Sequence, residues 1–175
     1  KMIRKEPDEA HTFIEYINNY LIEYAKGMVR AGADIIAISD PTATGEILGK
    51  KNFDKFAMPM YTEFLKSMRE INTPVIIHIC GDAKTIIDSL NSLEVQALSF
   101  DSIVNMRFAK SKLNTRLMGN VSTLLLQNGP KDKIISITKN AIGSGVDIVS
   151  PACGLGMSTP LGNLRVMTDY VKGSI

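Results

Sequence analysis

The sequence predicts an α/β fold in which parallel strands are connected by helical crossovers. Five short apolar runs with the character of buried strands alternate with helical stretches at intervals of about 20 to 40 residues. This alternation is typical of doubly wound open sheets and of (β/α)8 barrels. Because no linker rich in glycine, serine or proline divides the 175 residues, we predict a single domain over 1–175.

The composition excludes several classes of protein. With 45% hydrophobic residues the chain can bury one packed core, and its net charge of +2 is too small for a nucleic-acid binder, which needs concentrated positive charge. Charges interrupt every long apolar stretch, so we expect no membrane segment and no signal peptide, and a cytoplasmic protein with its two cysteines as thiols. The opening Lys1-Met2 suggests a piece of a longer protein.

The first helix is predicted over 8–30, where apolar residues recur every three or four positions. Pro7 can start this helix and Gly32 can end it. The apolar run at 34–39 follows immediately and predicts the first strand, buried on both faces.

A second helix is predicted over 53–71, with a kink at Pro59 because proline cannot donate the hydrogen bond of an interior turn. The clearest strand, 75–80, follows, and Gly81-Asp82 caps a helix over 83–93. The remaining predictions are strands at 97–100, 116–121 and 146–150 and helices near 102–112, 130–142 and 161–171, the last begun by Ser158-Thr159-Pro160.

Two reactive side chains share one face of the strand predicted at 75–80. Successive side chains of a strand point to opposite faces, so His78 and Cys80 lie together, opposite an apolar set that suits a helix-covered side. In a barrel, His78 and Cys80 would then face inward at the carboxyl end of the strand, where barrel enzymes have their active sites.

The second cysteine, Cys153, lies three residues beyond the strand predicted at 146–150, again at a carboxyl end. Ends on one rim converge, so His78, Cys80 and Cys153 are predicted to form a three-ligand zinc site with an open fourth position. The alternative is a hydrogen-bonded core histidine with two buried free cysteines. The shared rim favours the metal, whereas His11 is predicted to be a surface or packing residue.

Several segments resemble one enzyme family. They are Val-Ile-Ile-His-Ile-Cys-Gly at 75–81, Ser-Pro-Ala-Cys-Gly at 150–154 and Ser-Thr-Pro-Leu-Gly-Asn-Leu at 158–164, with 34–43 and 118–121 in support. Together they resemble the zinc-dependent methylcobamide:coenzyme M methyltransferases of the uroporphyrinogen decarboxylase-like superfamily. The resemblance implies a TIM barrel, here an incomplete C-terminal portion with about five βα units, and zinc held by His78, Cys80 and Cys153.

The activity that this resemblance implies is methyl transfer in methanogenesis from methylated compounds. The thiolate of coenzyme M, or of a related small thiol, would attack the methyl group of a methylated corrinoid carried by a partner protein. The fragment alone is expected to be inactive and to self-associate through unpaired strand edges. The sequence leaves open whether the methyl group derives from methanol, methylamines or methyl sulfides.

Three more residues at strand ends are candidates for the site. Asp101 is predicted to be catalytic, either at the fourth metal position or orienting His78, and the competing interpretation is the N-cap of a helix from Ser102. Asp40 and Asn120 are predicted to line the substrate cavity.

Three other functions remain as alternatives. Cobalamin-independent methionine synthases share the ligand pattern, and uroporphyrinogen decarboxylases share the fold without a metal. A non-catalytic module that binds a corrinoid protein, with a purely structural zinc, is the third.

Overall fold

The computed structural model describes residues 2–174, and its centre is one parallel sheet of five strands. The strands are β1 (Ile36–Asp40), β2 (Val75–Ile79), β3 (Ala97–Phe100), β4 (Arg116–Val121) and β5 (Ile148–Pro151). They lie side by side in sequence order, each parallel to the next. A doubly wound sheet would reverse its strand order at a switch point, so this order is that of a partial (β/α)8 barrel and confirms the predicted fold class.

Helices flank the sheet between its strands. They are α1 (Met2–Lys5), α2 (Pro7–Arg30), α3 (Gly49–Asn52), α4 (Met58–Glu70), α5 (Ile87–Asn91), α6 (Met106–Lys112), α7 (Thr123–Asn128), α8 (Lys131–Gly143) and α9 (Leu161–Val171). A π-helical turn, Phe53–Ala57, connects α3 to α4. Within residues 2–174, none of these helices is both long and apolar enough to cross a lipid bilayer.

Three helices differ from those predicted by more than one residue. The helix expected from 53 begins at Gly49 as α3 and continues through the π-helical turn into α4. The kink predicted at Pro59 is wrong, because Pro59 lies in the first turn of α4, where a proline is tolerated. The helix expected over 83–93 is reduced to α5, and the one expected from 102 begins at Met106. Turn structure occupies the missing residues, because side chains there bind the backbone locally.

Two short helices, α1 and α7, were not predicted at all. Ser122 caps α7, since its hydroxyl accepts a hydrogen bond from the backbone N–H of Leu125 at 3.3 Å. With only six residues, α7 is too short to show a helical period in the sequence.

The two faces of β2 have the predicted characters. Val75, Ile77 and Ile79 are buried among the helices, whereas Ile76 and His78 are half-buried on the opposite face. The parallel register sets His78 beside Ser39 of β1 and Ser99 of β3. The helix-covered face therefore forms the core, and the other face can carry functional side chains.

Polar contacts tie β5 to its neighbours. The carboxylate of Asp147, just before β5, accepts hydrogen bonds from the backbone N–H of Leu117 at 2.8 Å and from Lys110 Nζ at 2.9 Å. These contacts, the Leu117 N–H first, hold the pKa of Asp147 below its usual value.

Both outer strands keep one unpaired edge, because within residues 2–174 β1 pairs only with β2 and β5 pairs only with β4. Next to β1, helix α2 exposes large apolar side chains, including Phe13, Tyr20 and Tyr24. The sheet is thus an open segment rather than a closed barrel.

Candidate metal centre

The carboxyl ends of β2 and β5 bring the two cysteines together. Cys80 directly follows β2, and its backbone N–H donates to the carbonyl oxygen of Asp40 at 3.2 Å, which extends the ladder by one residue. Cys153 is held after β5 because the N–H of Ala152 donates to Val121 O at 2.8 Å. As a result the two Sγ atoms are 3.2 Å apart, although 73 positions separate them in sequence.

His78 completes a three-residue group. One ligand atom from each of His78, Cys80 and Cys153 lies within 4.8 Å of the others, as the sequence predicted. The imidazole Nδ1 is 3.0 Å from Ser99 Oγ, whereas Nε2 is buried and has no hydrogen-bond partner among the described residues. A buried polar atom without a partner is costly, so a bound cation would satisfy a nitrogen that the protein alone leaves unpaired.

Burial and neighbouring groups set the protonation of these ligands. Burial lowers the pKa of His78 more than the Asp101 carboxylate raises it, so the imidazole stays neutral at pH 7 and keeps a lone pair. The hydrogen bond to Cys153, followed by burial, raises the pKa of the Cys80 thiol to about 11. A divalent cation between the sulfurs would reverse this effect by stabilising the thiolate form.

Asp101 lies beside the thiols at the end of β3. Its Oδ2 is 3.9 Å from Cys80 Sγ, while its Oδ1 accepts from the N–H of Ile103 and from Ser102 Oγ, each at 3.2 Å. The alternative that Asp101 caps a helix from Ser102 is wrong, because α6 begins at Met106 and Asn105 caps it. One carboxylate oxygen therefore faces the thiol pair.

Asp40 lies on the same rim, but its carboxylate is occupied by the protein. Oδ1 accepts from the N–H of Thr42 at 2.9 Å, from Thr42 Oγ1 at 3.0 Å and from the N–H of Ala43 at 2.8 Å. Oδ2 accepts from the hydroxyl of Tyr61 at 2.9 Å. These contacts fold the loop after β1, and a role in binding substrate stays a prediction.

Asn120, at the end of β4, binds the loop that follows β3. Its Nδ2 donates to the carbonyl oxygens of Asp101 at 3.0 Å and Val104 at 2.9 Å, so it anchors the loop that carries Asp101. The side chain lines a separate cavity of about 510 Å³, bounded by α6 and α8. The structure thus brings the Asn120 side chain to the backbone of Asp101 but not into the cavity that His78 lines, and its role in binding substrate also stays a prediction.

The exposed face of the sheet forms a mostly apolar cavity of about 420 Å³ that His78 and Cys153 help to line. The residues that line it include Ile76, His78, Ser99, Met118, Cys153 and Leu155. Ser99 and Tyr61 contact predicted site residues, and the sequence analysis named neither. Only the strand register, which pairs Ser99 with His78, could have indicated Ser99.

Comparisons with known proteins agree with this geometry. A family model described as uroporphyrinogen decarboxylase (URO-D) matches residues 1–174. The methylcobamide:CoM methyltransferase MtbA of Methanosarcina acetivorans is 31% identical over 161 residues, which are 91% of this chain and 48% of that protein. A uroporphyrinogen decarboxylase of Synechocystis is 28% identical over 98% of this chain and 50% of its own length.

A solved structure described as a methyltransferase from Methanosarcina mazei superposes with a TM-score of 0.92 at 30% sequence identity. The alignment covers 99% of this chain and 52% of that structure. The chain therefore spans about half the length of the relatives that it matches.

Proposed function

The chain belongs to the uroporphyrinogen decarboxylase (URO-D) family, and from this premise we propose that it is the zinc-binding part of a methyltransferase. The enzyme would transfer a methyl group from a methylated corrinoid, carried by a partner protein, to the thiol of coenzyme M or a related small thiol. The setting would be methanogenesis from methylated compounds. The observation that carries this proposal is the convergence of His78, Cys80 and Cys153 at one rim of the sheet.

The donor set fits zinc. On a tetrahedral zinc ion, two sulfur ligands lie about 3.8 Å apart and a sulfur and a nitrogen about 3.6 Å apart. In the structure the two sulfurs are 3.2 Å apart, and all three candidate ligand atoms lie within 4.8 Å of one another. Small side-chain rotations would therefore bring these atoms to the distances that zinc requires. Three protein ligands leave a fourth position open, which is the pattern of a catalytic rather than a structural site.

Zinc, Asp101 and the apolar cavity would each contribute to the reaction. When bound, zinc would lower the pKa of a substrate thiol and keep its sulfur electron-rich, because two thiolate ligands balance the charge of the metal. Asp101 would accept the proton that the substrate loses, and the 3.9 Å between its Oδ2 and Cys80 Sγ supports this role. The apolar side chains of the 420 Å³ cavity would exclude water from the reacting sulfur.

The overall reaction balances. The substrate sulfur gains the methyl group and loses its proton, and the cobalt of the corrinoid keeps the electron pair of the cobalt–carbon bond, passing from Co(III) to Co(I). The decarboxylase relatives offer another activity for the same fold. The grouping of two thiols with an unpartnered imidazole nitrogen favours methyl transfer to a thiol, since decarboxylation needs no such ligands.

The experiment uses the full-length protein. Metal analysis is expected to find about one zinc per chain, and mixing the enzyme with methylcobalamin and several thiols is expected to produce the Co(I) spectrum. His78→Ala, Cys80→Ala and Cys153→Ala should each lose both metal and activity. His11→Gln is the matched control, because His11 stacks on Phe56 at 4.4 Å between ring centroids and contacts no ligand.

Two outcomes would refute the proposal. One is a full-length protein that contains no zinc and decarboxylates uroporphyrinogen. The other is undiminished thiol methylation in both cysteine variants.

A further inference from the structure

We propose that Ser99 is a positioning residue for the metal centre: its hydroxyl occupies Nδ1 of His78 and leaves Nε2 as the nitrogen that binds the metal. The proposal rests on the function proposed above, since it assumes that His78 is a ligand. It concerns how the ring is held, which the ligand set by itself does not determine.

The backbone fixes the two partners relative to each other. His78 of β2 and Ser99 of β3 are direct neighbours in the parallel register, and both side chains line the same cavity. Ser99 is only 5% exposed, and its Oγ lies 3.0 Å from His78 Nδ1. Both residues lie inside strands rather than in loops, so hydrogen bonds of the sheet on either side restrain their separation.

The proton count of the imidazole explains why this contact matters. A neutral ring carries one proton, so either Nδ1–H donates to the serine oxygen or the serine hydroxyl donates to Nδ1 and the proton resides on Nε2. Nε2 is buried without a partner among the described residues, so a proton there would have no acceptor. Once a cation is bound, only the first arrangement gives both ring nitrogens a partner.

The hydroxyl also fixes the rotation of the ring. Ser39 and Ser150 also line this cavity, but of its hydroxyls only that of Ser99 forms a hydrogen bond with the His78 ring in the described part of the chain. Without the Ser99 hydroxyl, Nδ1 would lose the side-chain hydrogen bond at 3.0 Å that holds the ring in this orientation, and a flipped ring would present the wrong nitrogen.

The test compares Ser99→Thr with Ser99→Val in the full-length protein. Threonine and valine have nearly the same shape, so any crowding is common to both and only the hydroxyl differs. Zinc affinity, measured by competition with a chromophoric chelator, is expected to fall by about 10- to 100-fold in Ser99→Val and to stay within a few-fold of wild type in Ser99→Thr. Ser67→Ala is the control, because Ser67 is a buried serine of α4 outside the site.

A spectroscopic readout separates positioning from general stability. In nitrogen-15 NMR of the zinc-loaded protein, the Nδ1 proton of His78 should be protected from exchange in wild type and Ser99→Thr, and should exchange rapidly in Ser99→Val. The only other histidine, His11, is assigned with His11→Gln. Loss of stability alone would not move this signal selectively.

The outcomes distinguish the two proposals. If wild type binds zinc and Ser99→Val equals Ser99→Thr in affinity and proton protection, the role of Ser99 is refuted while the metal centre stands. If wild type itself binds no zinc, the proposed function fails, and the role of Ser99 fails with it.

Discussion

The hydroxyl of Tyr61 makes a hydrogen bond whose strength can be measured. Tyr61 is 1% exposed in the core and donates to Asp40 Oδ2 at 2.9 Å, at the rim of the sheet. Tyr61→Phe removes this donor and preserves the packing of the ring. The change therefore isolates one bond between the core and the loop after β1.

The expected cost follows from the chemistry of the acceptor. A hydrogen bond to a charged group contributes about 1.5–3 kcal/mol. Asp40 is only half-buried, so water can partly replace the lost donor at Oδ2, and we expect the lower end of that range. Oδ1 keeps its three donors from the 42–43 loop, so the loop itself should persist.

A double-mutant cycle in urea unfolding tests this estimate. In an Asp40→Asn background the acceptor is neutral, so Tyr61→Phe should cost only about 0.5–1.5 kcal/mol. If Asp40 also binds substrate, Asp40→Asn should raise KM whereas Tyr61→Phe should not. The reasoning is refuted if Tyr61→Phe leaves the free energy of unfolding unchanged, or if its cost is the same in both backgrounds.

Three further predictions concern the sheet. Asp147→Asn should lower the Tm near neutral pH. Folding lowers the pKa of Asp147, so the ionised carboxylate stabilises the folded state above pH 3.8, and this stabilisation is lost as the pH falls through the lowered pKa. When the pH is lowered below 3.8, the Tm of the variant should therefore fall by less than the Tm of wild type, and equal decreases would contradict this. Gly119→Ala should lower the Tm, because Gly119 has φ +128° and an added Cβ would lie 3.0 Å from Phe100 O; an unchanged melting curve would contradict it. The 175-residue chain made alone should self-associate in sedimentation through its open strand edges, and less so as Tyr24→Glu; a monodisperse monomer would count against this.

The convergence of His78, Cys80 and Cys153 was predictable from the sequence because it depends on side-chain alternation and on strand direction. Side chains alternate along a strand, which puts His78 on the face opposite Val75, Ile77 and Ile79. Parallel strands end at one edge, which brings Cys80 to Cys153. Side-chain alternation and strand direction do not depend on which side chains pack against these residues.

The parts that were missed depend on short local hydrogen bonds or on contacts between distant segments. The start of α6 and the presence of α7 are decided by local side-chain bonds at Asn105 and Ser122, and these compete with helical periodicity over only a few residues. The direction of Asn120 is decided by its two bonds to the loop after β3. No pattern in the sequence indicates the two hydrogen bonds of Asn120.

The sequence by itself determined the α/β class, the inward face of β2 and the meeting of three soft ligands at one rim, because these follow from chain periodicity and strand direction. Only the tertiary structure decided which atoms are satisfied there. It placed Ser99 against one nitrogen of His78 and left the other without a partner among residues 2–174, turned an oxygen of Asp101 towards Cys80, and bound Asp40 to Tyr61. Hydrogen bonds act over about 3 Å, so they depend on the exact register and packing of neighbouring segments, which a single sequence does not fix.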